Sequence, residues 1–201
     1  GTIFDENPEF QLPNNGGTRI IYNETNTRGK DLHATHTAGT MGAWGYNPNL
    51  MGMAPRVWMR SHIQQSTSDV TLHGMLWPGQ KHTETNPRTG EIEVKSAIGS
   101  SSLGVPDTNT KRGLYPDRAA TFDIVLRDYP YYTHFYGASN EGEDGYATIG
   151  RNNTMAKNVF TIGSVTDVNR DASGAIASGG AISDFSSRGP TYDGRIKPDF
   201  C

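Results

Sequence analysis

Two histidines three residues apart, His33 and His36, stand in the run Asp31-Leu32-His33-Ala34-Thr35-His36-Thr37-Ala38-Gly39-Thr40. On a helix that spacing puts both imidazoles on one face. Imidazole has an unperturbed pKa of about 6.5, so a histidine can take up and return a proton near neutrality as a general base. The same nitrogens can ligate a metal, and a pair of polar core or capping histidines is the third reading. The small residues around them let a neighbouring backbone come close. A second candidate is Gly137-Ala138-Ser139-Asn140-Glu141-Gly142, directly after an aromatic segment. Sites in an open parallel sheet lie beyond the carboxyl ends of the strands. An asparagine placed there can aim its amide at a developing oxyanion. By itself, however, the segment also reads as an ordinary Asn–Glu–Gly turn.

The surrounding elements have to position these groups. Residues 1–30 read as Asn-, Gly- and Thr-rich loops around a short apolar piece, Thr18 to Tyr22. Leu32 to Trp44 suits a tightly packed helix, with Asp31 or a neighbour as its N-cap. Val57 to Ile63 is a strand candidate, and Ser66 to Trp77 a helix stopped by Pro78-Gly79. Residues 80–93 are polar and read as a surface loop with a turn at Asn86 to Gly90. Val94 to Ser100 is the next strand, and a long loop then runs through Pro116. Ala119 to Leu126 has helical periodicity, ended by Asp128-Tyr129-Pro130. Tyr132 to Tyr136 is aromatic and β-leaning, Val159 to Val165 is an apolar strand, and Asp167 to Gly180 reads as a hairpin connection. Strands alternating with helices imply parallel pairing and an α/β sheet.

Composition excludes several other classes. The chain has 201 residues and a formal charge of −3, with a pI near 6.1 and a mean hydropathy of −0.62. Dispersed basic residues and a net negative charge leave no footprint for nucleic acid or an anionic membrane. No apolar run approaches the length of a membrane span. The 24 glycines and 11 prolines, scattered among apolar segments, indicate many tight turns. Cys201 is the single cysteine and has no internal disulfide partner.

Taken together, the motifs resemble those of the subtilisin-like (subtilase) family of serine proteases. His33-Ala34-Thr35-His36-x-Ala38-Gly39-Thr40 resembles the family's H-G-T-H-x-A-G-T, and Gly52-Met53-Ala54-Pro55 its G-x-A-P. Ser102-Leu103-Gly104 is similar to the S-x-G segment lining the substrate cleft, and Ser139-Asn140-Glu141-Gly142 to the oxyanion turn G-N-E-G. Phe185-Ser186-Ser187-Arg188-Gly189-Pro190 and Lys197-Pro198-Asp199 resemble the family's F-S-S-x-G-P and K-P-D. The resemblance spans nearly the whole chain. It implies an α/β, three-layer fold with a mostly parallel central sheet, and one partial peptidase domain over residues 1–201. His33 would be the general base and then acid, His36 would pack beneath it, and Asn140 would donate to the oxyanion. Ser102, Leu103 and Gly104 would present backbone to an extended polypeptide substrate, with Gly137, Ala138 and Ser139 walling the primary specificity pocket. Secretion is implied on the same ground. No cofactor is expected for catalysis, and structural calcium is an expectation without named ligands.

The departures matter too. The family's G-T-S-x-A-x-P serine motif is not in the sequence, and Asn7-Pro8-Glu9-Phe10 resembles a segment that follows the aspartate motif. The triad serine and aspartate are therefore expected outside residues 1–201, which alone would be inactive and incomplete at both ends. Asp5 is a substitute for the aspartate that lacks the accompanying glycine. Ala34 and Ser139 stand where the family has glycine, and Thr37 where it has an aliphatic residue. A zinc hydrolase would need H-E-x-x-H, which is missing. Asp167-x-Asn169-x-Asp171 lacks the glycine and closing glutamate of a calcium loop. The remaining alternative is a non-catalytic binding module on the same fold.

Overall fold

The carboxylate of Asp31 accepts the amide N–H of Ala34 at 2.8 Å, and helix α1 (Leu32–Gly42) starts from that cap. A computed structural model of the chain describes residues 2–13, 16–22, 29–61, 82–85, 92–95, 97–102, 112–130, 132–150, 152–173 and 175–201. Gly1–Gly74 and Met75–Cys201 form two compact units.

In the first unit, α1 connects strand β1 (Ile20–Tyr22) to strand β2 (Met59–Ser61), which pair in parallel from Ile20↔Met59 to Tyr22↔Ser61. Ile3, Phe10, Ile20, Ala38 and Met59 form the core, with Tyr22 and Ala34 packed against it. Ala34 and Ala38 lie one turn apart, so small side chains face the core and the helix can sit close to the strands. The far end of α1 is closed by the Gly52-Met53-Ala54-Pro55 segment. The amides of Gly52, Met53 and Ala54 donate to the carbonyls of Ala43, Thr40 and Met41 at 3.0, 3.1 and 2.7 Å, satisfying groups a helix end otherwise leaves unpaired. A Cβ on Gly52 would fall 2.6 Å from the Ala43 nitrogen and the Gly39 oxygen, so this approach requires glycine.

Arg19 ties the unit together from inside. It is buried, and its guanidinium donates to the carbonyls of Val57, Glu9 and Gly42 at 2.7, 2.7 and 2.8 Å. Trp44 lies 5.4 Å from the guanidinium, at cation–π distance. The Glu9 carboxylate accepts the amides of Gly45, Tyr46 and Asn47 at 2.7, 3.0 and 2.8 Å. Burial pushes the Glu9 carboxyl upward, but these three N–H groups outweigh it and hold its pKa below the usual value.

The second unit centres on a parallel sheet of strands β5 (Ala97–Ser101), β6 (Tyr132–Gly137) and β7 (Phe160–Ile162), in that order. Helix α2 (Asp117–Asp128) crosses from β5 to β6 and buries Ala119, Phe122, Val125 and Leu126, an apolar stripe at helical spacing. Strands β3 (His82–Thr85) and β4 (Ile92–Lys95) pair antiparallel, as do β8 (Asn169–Arg170) and β9 (Ile176–Ser178). Lys197 is buried with its Nζ on Val159 O at 2.9 Å and Asp199 Oδ2 at 2.6 Å. Asp199 Oδ2 also accepts the Thr161 amide at 2.7 Å, so the Lys197-Pro198-Asp199 motif anchors β7.

The α/β class and the helices at Leu32 and Ala119 agree with the sequence reading. Two expectations need correction. Residues 80–93, read as a polar loop, supply β3 and the start of β4: backbone pairing with the alternating Ile92-Glu93-Val94-Lys95 holds the wholly polar His82-Thr83-Glu84-Thr85 as a strand, although it has no apolar alternation of its own. The strand expected over Val94 to Ser100 is two strands in different sheets, β4 and β5. The helix expected at Ser66 to Trp77 and the turn at Asn86 to Gly90 lie outside the described residues.

Candidate active site

His33 is the second residue of α1 and is exposed. The turn that carries it is fixed from both sides. Thr35 Oγ1 donates to Asp31 O at 2.7 Å and accepts the amide of Phe4 at 2.9 Å. The bond from Ala34 N–H holds the Asp31 carboxyl below its usual pKa, so the cap keeps its charge over a wide pH range. His36 was expected beneath His33, but it is exposed. The helix turns its Ala34–Ala38 face to the core, which leaves the face of residues 33 and 36 outside. Asp5 is engaged elsewhere: its carboxylate pairs with Lys30, whose Nζ also lies 2.9 Å from Tyr22 Oη. Burial raises the Asp5 carboxyl, and the hydrogen bonds from Lys30 and Tyr22 more than offset this and lower it.

In the second unit, the candidate residues gather at the carboxyl edge of the β5–β6–β7 sheet. The β5–β6 ladder ends at Ser101↔Tyr136, so Ser102 follows directly at that edge and is exposed. Gly137 closes β6 opposite Ile162 of β7, and the chain leaves the sheet through Ala138, Ser139 and Asn140. This is where an open parallel sheet places its ligands. Leu103 and Gly104 lie outside the described residues.

The turn at Asn140 is held by the segment around Ser187. Ala138 is buried, donating to Ile162 O at 2.9 Å and accepting from Gly150 N at 3.1 Å. Ser139 has φ of +88°, a backbone state that disfavours side chains. Its carbonyl accepts the Ser187 amide at 3.1 Å. Glu141 Oε2 accepts the Asn140 amide at 3.0 Å, and the Gly142 amide donates to Phe185 O at 2.8 Å. Asn140 itself is exposed at the top of this fixed turn. A side-chain amide so placed can donate to charge developing on a bound carbonyl.

Two features were missed in the sequence. One is this bracing by Ser187, 46 residues from Glu141. The other is His134, which reads in the sequence as one of several scattered histidines. It is buried, with Nδ1 2.7 Å from Tyr132 Oη and Nε2 3.0 Å from Ser101 Oγ. Burial lowers its pKa to about 4, so it is neutral at physiological pH. The Phe122 ring meets it edge-on at 5.1 Å. The residues around Asp171 form a hairpin turn, with Asp171 Oδ1 accepting the amides of Ser173 and Ala175 at 2.8 and 3.0 Å. Among the described residues, no three His, Cys, Asp or Glu side chains are grouped to hold a metal ion. None of the described helices is long and apolar enough to cross a membrane.

The family model described as the subtilase family, Peptidase_S8, matches residues 2–201. No curated protein matches the chain.

Proposed function

The chain belongs to the subtilase family, a serine-protease type, and from that premise we propose that it supplies the general base and the oxyanion donor of a serine endopeptidase. His33 takes the proton of a serine hydroxyl as the serine attacks a peptide carbonyl, then returns it to the leaving amine. A carboxylate orients the imidazole and stabilises it when charged. Residues 1–201 lack the family's serine motif, so the reading assigns the serine and the carboxylate to chain beyond them. Asn140 donates to the tetrahedral oxyanion, an interaction worth about 10²–10³-fold in rate in such sites. Ser102, Leu103 and Gly104 align an extended polypeptide, and Gly137, Ala138 and Ser139 wall the pocket for the residue before the scissile bond. Secretion is part of the same reading.

The observation that carries this proposal is the placement of Asn140. It tops a braced turn at the carboxyl edge of the sheet on which Ser102 also lies. The test is labelling of the full-length protein by a fluorophosphonate, which reacts with an activated serine. Labelling of the wild type that is lost in His33→Ala is the expected result. A full-length protein that takes no label would replace this reading with that of a non-catalytic binding module on the same fold.

A further inference from the structure

His134 points along β6 toward β5. It pairs with Gly99 in the ladder, and its Nε2 reaches the hydroxyl of Ser101, the last residue of β5. Tyr132, Gly99 and Ser101 share its face of the sheet, since alternate residues face the same way. A Cβ on Gly99 would fall onto Tyr132 Oη and within 2.5 Å of His134 Nδ1, so glycine, tyrosine and histidine fit here as a set. A neutral imidazole has one N–H and one bare nitrogen, so it donates to one of the Tyr132 and Ser101 hydroxyls and accepts from the other, and both ring nitrogens are held.

Burying an imidazole and a phenol is unfavourable unless both are hydrogen-bonded, and apolar side chains would fill the same space without that penalty. What the polar set adds is direction, because a fixed ring nitrogen holds one hydroxyl in one place. That hydroxyl belongs to the residue immediately before Ser102. We propose that His134 is a positioning residue: through Ser101 it sets the backbone at the end of β5, and so the edge on which an extended peptide lies. The proposal rests on the protease reading above and names a residue on which that reading does not depend.

A positioning role for extended substrates separates from a general structural one by substrate length. The full-length wild type, Ser101→Ala, Ser101→Thr and His134→Phe are compared on a four-residue peptide substrate, a single-residue ester and fluorophosphonate labelling. Ser101→Ala removes the tether and leaves the His134–Tyr132 pair in place, and the half-buried Ser101 tolerates the change. Its kcat/KM on the peptide is expected to fall about fivefold or more, mostly through KM, as for one lost hydrogen bond. Ester hydrolysis and labelling stay within about twofold. His134→Phe shows the same split, and Ser101→Thr, which keeps a hydroxyl, recovers the peptide rate. Equal losses on all three probes, or no loss on the peptide, overturn the positioning role while the protease reading stands. A wild type that takes no label overturns both.

Discussion

Ser187 holds Glu141 by two atoms at once. Its Oγ accepts the Glu141 amide at 3.0 Å and donates to Glu141 Oε2 at 3.0 Å. The same carboxylate oxygen accepts the amide of Asn140. One buried hydroxyl thus fixes the peptide on both sides of the oxyanion candidate. Ser187→Ala removes both bonds, leaving the Glu141 amide without its acceptor and the Glu141 carboxylate with the Asn140 amide but one donor fewer. A loss of about 1–3 kcal/mol in stability follows from the lost hydrogen bonds. A fluorophosphonate labelling rate at least tenfold slower follows from the loosened turn, because loss of an oxyanion donor costs about 10²–10³-fold. Urea unfolding and labelling of full-length variants check the two effects separately. An unchanged labelling rate at lowered stability would reduce Ser187 to a packing role.

Ser139 lies beside this brace at φ of +88°. A Cβ in that region is strained, and glycine has no such penalty. Ser139→Gly is therefore expected to stabilise the protein by about 0.5–1 kcal/mol, after the greater flexibility of glycine in the unfolded chain is set against it. Ser139→Val, β-branched at the same φ, is expected to destabilise it by more than that gain. Urea midpoints measured on the two variants decide the matter, and a Gly variant less stable than wild type contradicts it.

The local features were legible in the sequence, and the long-range ones were not. Asp31 ahead of a small-residue run marked the start of α1, because a cap and its helix lie within four residues of each other. The Asn140 turn was recognisable by its motif. Its brace was not, since Ser187 gains its meaning only when the fold brings it to Glu141. His134 was passed over for the same reason, as its partner Ser101 lies 33 residues away. The alternation of Tyr132, His134 and Tyr136 within a strand was the available signal, for it puts all three on one face. His36 was misplaced because the motif carries no information on which helix face meets the core. The two Ala residues that do meet it were visible one turn apart.

Arg19 offers a sharper test of the first unit than any of its apolar residues. Its guanidinium serves three carbonyls from one buried plane. A lysine ammonium is a point donor on a flexible stem and cannot reproduce that fork. Arg19→Lys is expected to lose about 2–3 kcal/mol, and Arg19→Ala about 3–5 kcal/mol with three carbonyls left without their donor. Both are read from urea midpoints of the full-length protein. A lysine variant as stable as wild type would show that the three carbonyls find water instead.

Acid should weaken the second unit through His134. Its folded pKa is lowered to about 4, against an ordinary value of 6.5, so the unfolded chain binds this proton more readily. Stability from the neutral ring is therefore complete above about pH 6.5 and falls as the pH drops toward 4, by about 1.4 kcal/mol per pH unit. The groups facing the ring are the Tyr132 and Ser101 hydroxyls and the Phe122 and Tyr136 rings. Glu9, Asp5 and Asp31, whose carboxyls are lowered from 4.5, 3.8 and 3.8, withdraw their stability only further down, as the pH falls through their folded values. Between pH 7 and pH 5 the wild type is thus expected to lose about 2 kcal/mol through His134. His134→Phe has no proton to gain there, so its urea midpoint should change less than that of wild type over the same interval. Parallel pH curves for the two proteins would place the acid sensitivity in another group.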